Sequence, residues 1–355
     1  MRVRFPYAAL IAVMLVLPQA AFAGEQFARV VVSVAPLAPY VDAILHGVGK
    51  ADNLLRPGQD PHNFAFTPSQ AQLLDKADVI IVPDLGMSPF LKGLLAKKPR
   101  LRVIELSKLA GAEPLPYAAE NPWLSAVKEA GDREEDGHDH DHDAHHEKDS
   151  DFATGHQWAK KKAADVAPPA ALIDPHFWLD PERMAAIAPA LAEAIGQAAP
   201  GNQAQLTLNA EALATHLRRE VMPAMRELLA AKERPFEVSN KPRIPFITYH
   251  AAYQYFLGRF GLQNHGDIVV RPEEYTGAKS LQSMLSVAGR VHINCVIGEA
   301  ETTVVKRIAE LSGARVIVLS PEQLVEAKDV PALPWITNGY DRLLYQTAKR
   351  FGECL

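Results

Sequence analysis

The chain contains few cysteines and has no excess of basic residues. Only two of its 355 residues are cysteines, and Cys295 and Cys354 lie too far apart for a Cys-x-x-Cys metal motif. The formal net charge is −5, and the largest basic cluster is Lys160-Lys161-Lys162. A chain with this charge balance is not expected to bind nucleic acid, because such binding depends on basic surface patches.

Several common catalytic motifs are also absent. The sequence has no His-Glu-x-x-His, no P-loop and no Gly-x-Ser-x-Gly, which removes the usual signatures of zinc proteases, nucleotide hydrolases and serine hydrolases. The composition, 48% hydrophobic and 22% charged, is typical of a soluble globular protein. At this length the chain can form two domains of ordinary size.

Long apolar runs are missing after the N-terminus. Arg2 and Arg4 precede an apolar stretch, and Ala21-Phe22-Ala23 forms a small-x-small cleavage site, so residues 1–23 are typical of an export signal. The alternative is a membrane anchor, but Pro18 interrupts the run too early for a spanning helix. We expect cleavage after Ala23 and a protein that is not inserted in the membrane. In an exported chain, two cysteines favour a disulfide over the alternative of two buried thiols.

The acidic residues are concentrated in one tract. Residues 132–151 contain ten Asp or Glu and two basic residues, a local net charge of −8. Five histidines fall within nine residues of this tract, at His138, His140, His142, His145 and His146. Imidazole and carboxylate together favour weak, exchangeable zinc sites, with an inert solvated loop as the alternative.

Short apolar strands alternate with helices in two separate stretches. The first stretch predicts strands at 29–34, 78–82 and 101–106, with helices at 36–47, 69–76 and 89–96. The second predicts strands at 244–249, 267–270, 295–297 and 315–319, with helices at 251–260, 278–288, 302–312 and 341–351. This alternation indicates βα units and parallel sheets.

The segment between the two stretches has a different pattern. Residues 111–174 lack periodicity, and we predict a loop that is mostly disordered over 132–162. Two long helices follow, at 181–199 and 203–231, with a kink expected at Pro223. The prediction is an α/β fold with two parallel-sheet lobes, 24–178 and 238–355, joined by a long rigid helical connector at 179–237. In such a fold a ligand is expected in the cleft between the lobes.

Three histidines stand where a site could form. Asp60-Pro61-His62 and Asp174-Pro175-His176 repeat one tripeptide, in which proline stiffens the turn that carries the histidine. His250 ends a predicted strand. Each could be a structural histidine when taken alone. Together they predict a metal site, and neutral imidazole suits zinc.

These motifs, in this order, resemble those of a known family. The chain is similar to the periplasmic zinc-binding protein of the high-affinity zinc ABC importer, within the cluster of receptors for zinc and manganese. The resemblance extends over Asp60-Pro61-His62-Asn63-Phe64, the His/Asp-rich tract, Asp174-Pro175-His176-Phe177-Trp178 and Thr248-Tyr249-His250. It implies His62, His176 and His250 as zinc ligands and a disulfide between Cys295 and Cys354.

The fourth ligand departs from the pattern of the family. Manganese-type relatives have an aspartate after the last strand, where this chain has Ser320, and this difference favours zinc. Some zinc members use a glutamate in a stretch where only Asp84 stands here. We expect three histidines plus water, with Asp84 or a loop histidine as the alternative.

Other polar residues are weaker candidates. Glu299 and Glu301 follow a predicted strand and could face the cleft, but they are also typical of carboxylates at a helix N-terminus. The remaining histidines outside the tract have no presenting motif and are expected to be structural or exposed: His46, His156, His216, His265 and His292.

The predicted function is a monomeric periplasmic receptor that is not an enzyme. It would bind Zn²⁺ as its transported ligand and deliver it to the membrane permease of an ABC importer. A manganese or iron receptor of the same fold is one rival. A zinc hydrolase is another, since three histidines and a water also activate hydroxide, with Glu299 or Glu301 as its base.

Overall fold

Two four-stranded parallel sheets form the framework of the molecule. The computed structural model describes residues 28–56, 59, 61–62, 67–87, 89–118, 123, 173–230, 243–270 and 278–355. The strand orders are β2-β1-β3-β4 in the first sheet and β6-β5-β7-β8 in the second. The predicted α/β class with two parallel sheets is confirmed. The export signal and the His/Asp-rich tract lie outside the described residues.

The first sheet and its helices make up the first lobe. Its strands are β1 (Val30–Val32), β2 (Ala51–Asn53), β3 (Val79–Val82) and β4 (Arg102–Glu105), and its helices are α1 (Leu37–Ile44), α2 (Pro68–Lys76) and α3 (Pro89–Leu95). Strand β2 was not predicted. Its sequence, Ala-Asp-Asn, has no apolar run, and its place depends on parallel pairing with β1 at the edge of the sheet.

The second sheet forms the second lobe in the same way. Its strands are β5 (Arg243–His250), β6 (Asp267–Val269), β7 (His292–Gly298) and β8 (Arg315–Val318). Its helices are α7 (Gln254–Phe260), α8 (Ala278–Arg290), α9 (Thr303–Ser312) and α10 (Gly339–Gly352). The predicted order of strands and helices agrees with these elements.

A helical layer connects the lobes in sequence and packs against both of them. It consists of α4 (Pro181–Gly196), α5 (Gln203–His216) and α6 (Met222–Ala230), with one π turn at Leu217–Val221 between the last two. Pro223 follows this turn. Because proline has no N–H and its ring clashes with the carbonyl four residues earlier, a regular helix cannot continue through it, and a wide turn relieves the clash. Helix α5 contacts α1, and α6 contacts α10.

The two lobes share one hydrophobic core. Alternate residues of the first sheet, such as Val30 and Val32, belong to the same buried cluster as Phe246 of the second sheet. Phe177 and Trp178 are completely buried in this cluster. The opposite faces of the two sheets have separate, smaller cores. A core that continues from lobe to lobe restricts their relative movement, because packed interiors deform little.

A disulfide fixes the C-terminal helix to the second sheet. Cys295 of β7 is bonded to Cys354, just after α10, so the predicted pairing is confirmed. Both cysteines are buried. Within the described ranges, no helix has the length and apolar character needed to cross a membrane.

Candidate metal centre

Four side chains meet where the two lobes face each other. His62 lies between β2 and α2, His176 lies ahead of α4, and His250 is the last residue of β5. Glu322 lies four residues after β8. His250 and Glu322 thus follow the carboxyl ends of parallel strands, the edge at which open α/β sheets bind ligands.

The spacing of these groups suits a single small cation. Glu322 Oε1 lies 3.6 Å from His62 Nε2 and 3.5 Å from His176 Nε2, and His176 Nε2 lies 3.2 Å from His250 Nε2. All four possible ligand atoms lie within 4.8 Å of one another. In a tetrahedral zinc site with bonds of 2.0–2.1 Å, neighbouring ligand atoms are about 3.3 Å apart. The arrangement therefore needs little contraction to bind zinc.

The side chains of this cluster are almost fully buried, and their mutual interactions shift the pKa values of two of them. The side chains of His62, His176, His250 and Glu322 are 4%, 0%, 1% and 9% exposed. Burial disfavours protonation of His176, but Asp174 and Glu322 outweigh it and raise its pKa to about 9. Burial also opposes ionisation of Glu322, yet His176 and His62 hold its pKa well below its usual range. A dication can replace the proton on His176 and neutralise the carboxylate.

The Asp-Pro-His turn orients His176. Asp174 Oδ1 accepts hydrogen bonds from the backbone N of His176 at 2.9 Å and from its Nδ1 at 2.7 Å. Gln254 donates to the other oxygen of Asp174 at 2.6 Å. Because a carboxylate only accepts, the Nδ1 hydrogen of His176 points to Asp174, and the Nε2 lone pair is left for a metal.

Bonds from the second lobe fix the turn that carries His176. The Tyr255 hydroxyl donates to the carbonyl of Asp174 at 2.8 Å, and Arg259 contacts both oxygens of Asp180 at 2.7 and 2.9 Å. Trp178 Nε1 donates to the carbonyl of Pro321, next to Glu322, at 3.0 Å. The turn that carries His176 is thus bonded both to the second lobe and to the residue next to Glu322.

Hydrogen bonds within the first lobe order the part of the chain that precedes His62. Gln70 of α2 donates to the carbonyl of Leu54 and to Gln59 Oε1, both at 2.9 Å, and Gln59 Oε1 also accepts from the backbone N of Arg56 at 2.8 Å. His62 follows this bonded stretch.

A cavity of about 470 Å³ opens beside the cluster. It is lined by residues of both lobes, among them Asn53, Arg56, Glu299, Ser320, Glu322 and Glu326. Three of these are carboxylates and one is a cation, so the walls favour a positively charged ligand. Glu322 belongs both to the wall of this cavity and to the histidine cluster.

The structure brings the three predicted histidines together but not Asp84. Asp84 Oδ2 accepts a hydrogen bond from Ser107 at 2.7 Å, and its Oδ1 accepts from the backbone of Gly86 at 2.6 Å, so both oxygens serve the turn after β3. Within the described residues, the carboxylate that joins the histidines is Glu322. The loop histidines 138, 140, 142, 145 and 146 lie outside the described part of the chain.

Sequence reasoning missed Glu322, although a signal was present. The family pattern places an acid where this chain has Ser320, and the carboxylate of Glu322 lies two residues later in the same loop. Of the two weaker acidic candidates, Glu299 lies 2.5 Å from His250 Nδ1. Glu301 pairs instead with Lys306 at 3.1 Å.

Comparisons with known proteins identify the family to which this chain belongs. The family model described as "ZnuA: Zinc-uptake complex component A periplasmic" matches residues 30–353. The "High-affinity zinc uptake system protein ZnuA" of Brucella abortus is 32% identical over 349 residues, which cover 95% of each chain. 

Solved structures share the fold at lower identity. One titled "Crystal structure of ZnuA" has a TM-score of 0.61 at 19% identity and covers 92% of this chain and 98% of its own. The SBP FpvC of Pseudomonas aeruginosa, in complex with Mn²⁺, also has a TM-score of 0.61, at 18% identity, covering 92% and 98% of the two chains. The fold alone therefore does not show which metal a protein binds. The family model, in contrast, is specific for zinc uptake and matches residues 30–353. This chain belongs to the ZnuA family of periplasmic zinc-uptake components.

Proposed function

We propose that this chain captures Zn²⁺ with His62, His176, His250 and Glu322 and delivers it to the membrane permease of an ABC importer. The observation that carries the proposal is the cluster of three imidazoles and one carboxylate within 4.8 Å of one another, buried between two lobes. Membership of the ZnuA family supports zinc as the transported ion.

The donor set favours zinc over manganese. Three imidazole nitrogens and a single carboxylate suit zinc, whereas manganese prefers sites dominated by oxygen. In a competition titration of metal-free protein, we expect Zn²⁺ to displace Mn²⁺ at equal concentrations. Preferential retention of Mn²⁺ would support a manganese receptor instead.

The same cluster favours a carrier over a hydrolase. Catalytic zinc sites have three protein ligands and an open position for water, whereas here four side chains can fill a tetrahedron. We expect zinc-loaded protein to show no ester or peptide hydrolysis above that of the His176→Ala variant. Hydrolysis that depends on His176 would support the enzyme.

The ligand set is tested by a competition titration with a chelator. His62→Ala, His176→Ala and His250→Ala should each weaken zinc binding by at least about 10- to 100-fold, the loss usual even for residues that only support a ligand. His265→Ala is the matched control, because this half-buried histidine packs against Phe246 in the second lobe. Unchanged affinity in all three ligand variants would overturn the assignment.

Two parts of the proposal fall on residues outside the described ranges. We propose that residues 1–23 are removed on export, so that mass spectrometry of periplasmic protein should give a chain that starts at Gly24. We also propose that the loop histidines at 138–146 form weak, separate zinc sites. Deletion of residues 132–150 should then remove weak equivalents from the titration and preserve the tight one.

A further inference from the structure

His176 and His250 each have a carboxylate on the ring nitrogen that faces away from the cluster. His176 Nδ1 contacts Asp174 at 2.7 Å, and His250 Nδ1 contacts Glu299 at 2.5 Å. The Asp-Pro-His motif accounts for Asp174. Glu299 directly follows Gly298, the last residue of β7. It is not one of the four possible metal ligands, so its contact with His250 has no role in the site described above.

We propose that Glu299 is a positioning residue for His250. This inference rests on the proposed function, because it treats His250 as a zinc ligand. The carboxylate accepts the hydrogen on Nδ1, which selects the tautomer with a free lone pair on Nε2 and fixes the plane of the ring. It also makes the imidazole a stronger donor to the metal.

Glu299 and Asp174 differ in how firmly they are fixed. Asp174 is fully buried and is also bonded to the backbone of His176 and to Gln254. The side chain of Glu299 is 32% exposed and lines the 470 Å³ cavity between the lobes. Water in the cavity can compete for the Glu299 carboxylate, so the orientation of His250 is the more easily lost of the two. Glu299 therefore controls how long zinc stays bound.

The chain offers a matched control on the same loop. Glu301 is two residues away, carries the same charge, is 57% exposed and pairs with Lys306 rather than with a histidine. Three variants separate the effect of the hydrogen bond to His250 from the effect of the negative charge: Glu299→Gln, Glu299→Ala and Glu301→Gln. A glutamine oxygen can still accept from His250 Nδ1 but lacks the negative charge, whereas alanine removes both.

The experiment measures zinc affinity by competition titration and zinc release by stopped-flow transfer to a chelator. We expect Glu299→Ala to weaken affinity by about 10- to 100-fold, mainly through faster release, with Glu299→Gln in between and Glu301→Gln close to wild type. The absorption spectrum of the Co²⁺-substituted protein should change in Glu299→Ala and not in Glu301→Gln. Melting of the metal-free variants checks that the fold is intact.

Three outcomes would overturn the inference. One is wild-type affinity and release in Glu299→Ala. Another is an equal loss in Glu299→Gln and Glu301→Gln that disappears in high salt, since screening would then identify an effect of charge alone. The third is an unchanged Co²⁺ spectrum in Glu299→Ala. If wild type and Glu301→Gln themselves fail to bind one equivalent of zinc tightly, the proposed function fails, and not this inference alone.

Discussion

At the scale of single residues, Glu322 completes the metal cluster. One of its oxygens lies within 3.6 Å of the Nε2 atoms of both His62 and His176. Its pKa is lowered by these histidines despite burial, so it is ionised when a cation arrives. A fixed negative charge at this position balances part of the charge of a dication in a buried site.

We expect Glu322→Gln to weaken zinc binding by at least about 10-fold, because the variant has no anionic ligand. Glu326→Gln is the control. Glu326 also lines the cavity, but it is 69% exposed and pairs with Lys328, so its charge is screened and the affinity should change by less than about two-fold. Competition titration measures both. Wild-type affinity in Glu322→Gln would instead favour water as the fourth ligand.

His216 couples stability to pH at a distance from the metal cluster. Its Nε2 lies 3.1 Å from Asp341 Oδ2 and its Nδ1 lies 3.4 Å from Glu220. The hydrogen bond to Asp341 raises the pKa of His216 above its ordinary value, against the opposing effect of burial. A histidine with a raised folded-state pKa stabilises the protein fully at pH values below its unfolded pKa, and this contribution is lost as pH rises through the folded pKa.

We therefore expect His216→Gln to destabilise the metal-free protein more at pH 6 than at pH 9. Urea unfolding of wild type and variant at several pH values gives the difference in free energy directly. A difference that does not change with pH would show that His216 stabilises the protein only through packing and neutral hydrogen bonds.

At the scale of elements, the turn at residues 174–180 is the part that joins the cluster to the helical layer. Asp180 ends this turn and caps α4, where it accepts from the backbone N of Glu182 at 3.0 Å. It also forms a two-point ion pair with Arg259 of α7. One buried carboxylate thus fixes the start of a helix and the contact of that helix with the second lobe.

We expect Arg259→Met to lower the free energy of unfolding by about 1.5–3 kcal/mol, because Asp180 loses the two-point contact with Arg259 and keeps the single contact with Arg183 at 3.3 Å. Arg307→Met is the matched control. Arg307 pairs with Glu310, and their side chains are 55% and 65% exposed. Exposed ion pairs of this kind contribute about 0–1 kcal/mol to the free energy of unfolding. Urea denaturation measures both variants. Equal, small losses would mean that α4 and α7 are held together by apolar packing alone.

At the scale of the whole molecule, the shared core determines how the lobes behave. Residues of both sheets, the turn with Phe177 and Trp178, and the three helices of the connecting layer belong to one buried cluster. The disulfide adds a covalent link within the second lobe, between β7 and the end of α10. A core that is continuous across both lobes restricts how far they can move relative to each other.

A shared core predicts one cooperative thermal transition for the metal-free protein. Calorimetry should give a van't Hoff enthalpy equal to the measured enthalpy, the mark of two-state unfolding. Free zinc at about 100 times its dissociation constant should add about 2.7 kcal/mol of stability, and His250→Ala should lack this gain at the same zinc concentration. Two resolved transitions would show that the lobes unfold independently.

The sequence alone determined most of the fold because its signals are local. Apolar runs such as Val79–Val82 predicted buried parallel strands, and the Asp-Pro-His turns and the strand that ends at His250 identified the three histidines. The two cysteines, in a chain whose N-terminal pattern predicts export, favoured the disulfide that the structure confirms. The domain boundaries and the roles of the loop histidines stay predictions.

Only the tertiary structure decided what depends on partners that are distant in the sequence. Strand β2 has no apolar pattern of its own, so its pairing with β1 defines it. Glu322 and Glu299 are ordinary acidic residues in the sequence, and their importance comes from the histidines that folding brings within 3.6 Å of them. The candidate metal site consists of side chains from four segments that are distant in the sequence. The histidine donors can be named from local motifs, but the carboxylate and the geometry of the site are defined only after the chain has folded.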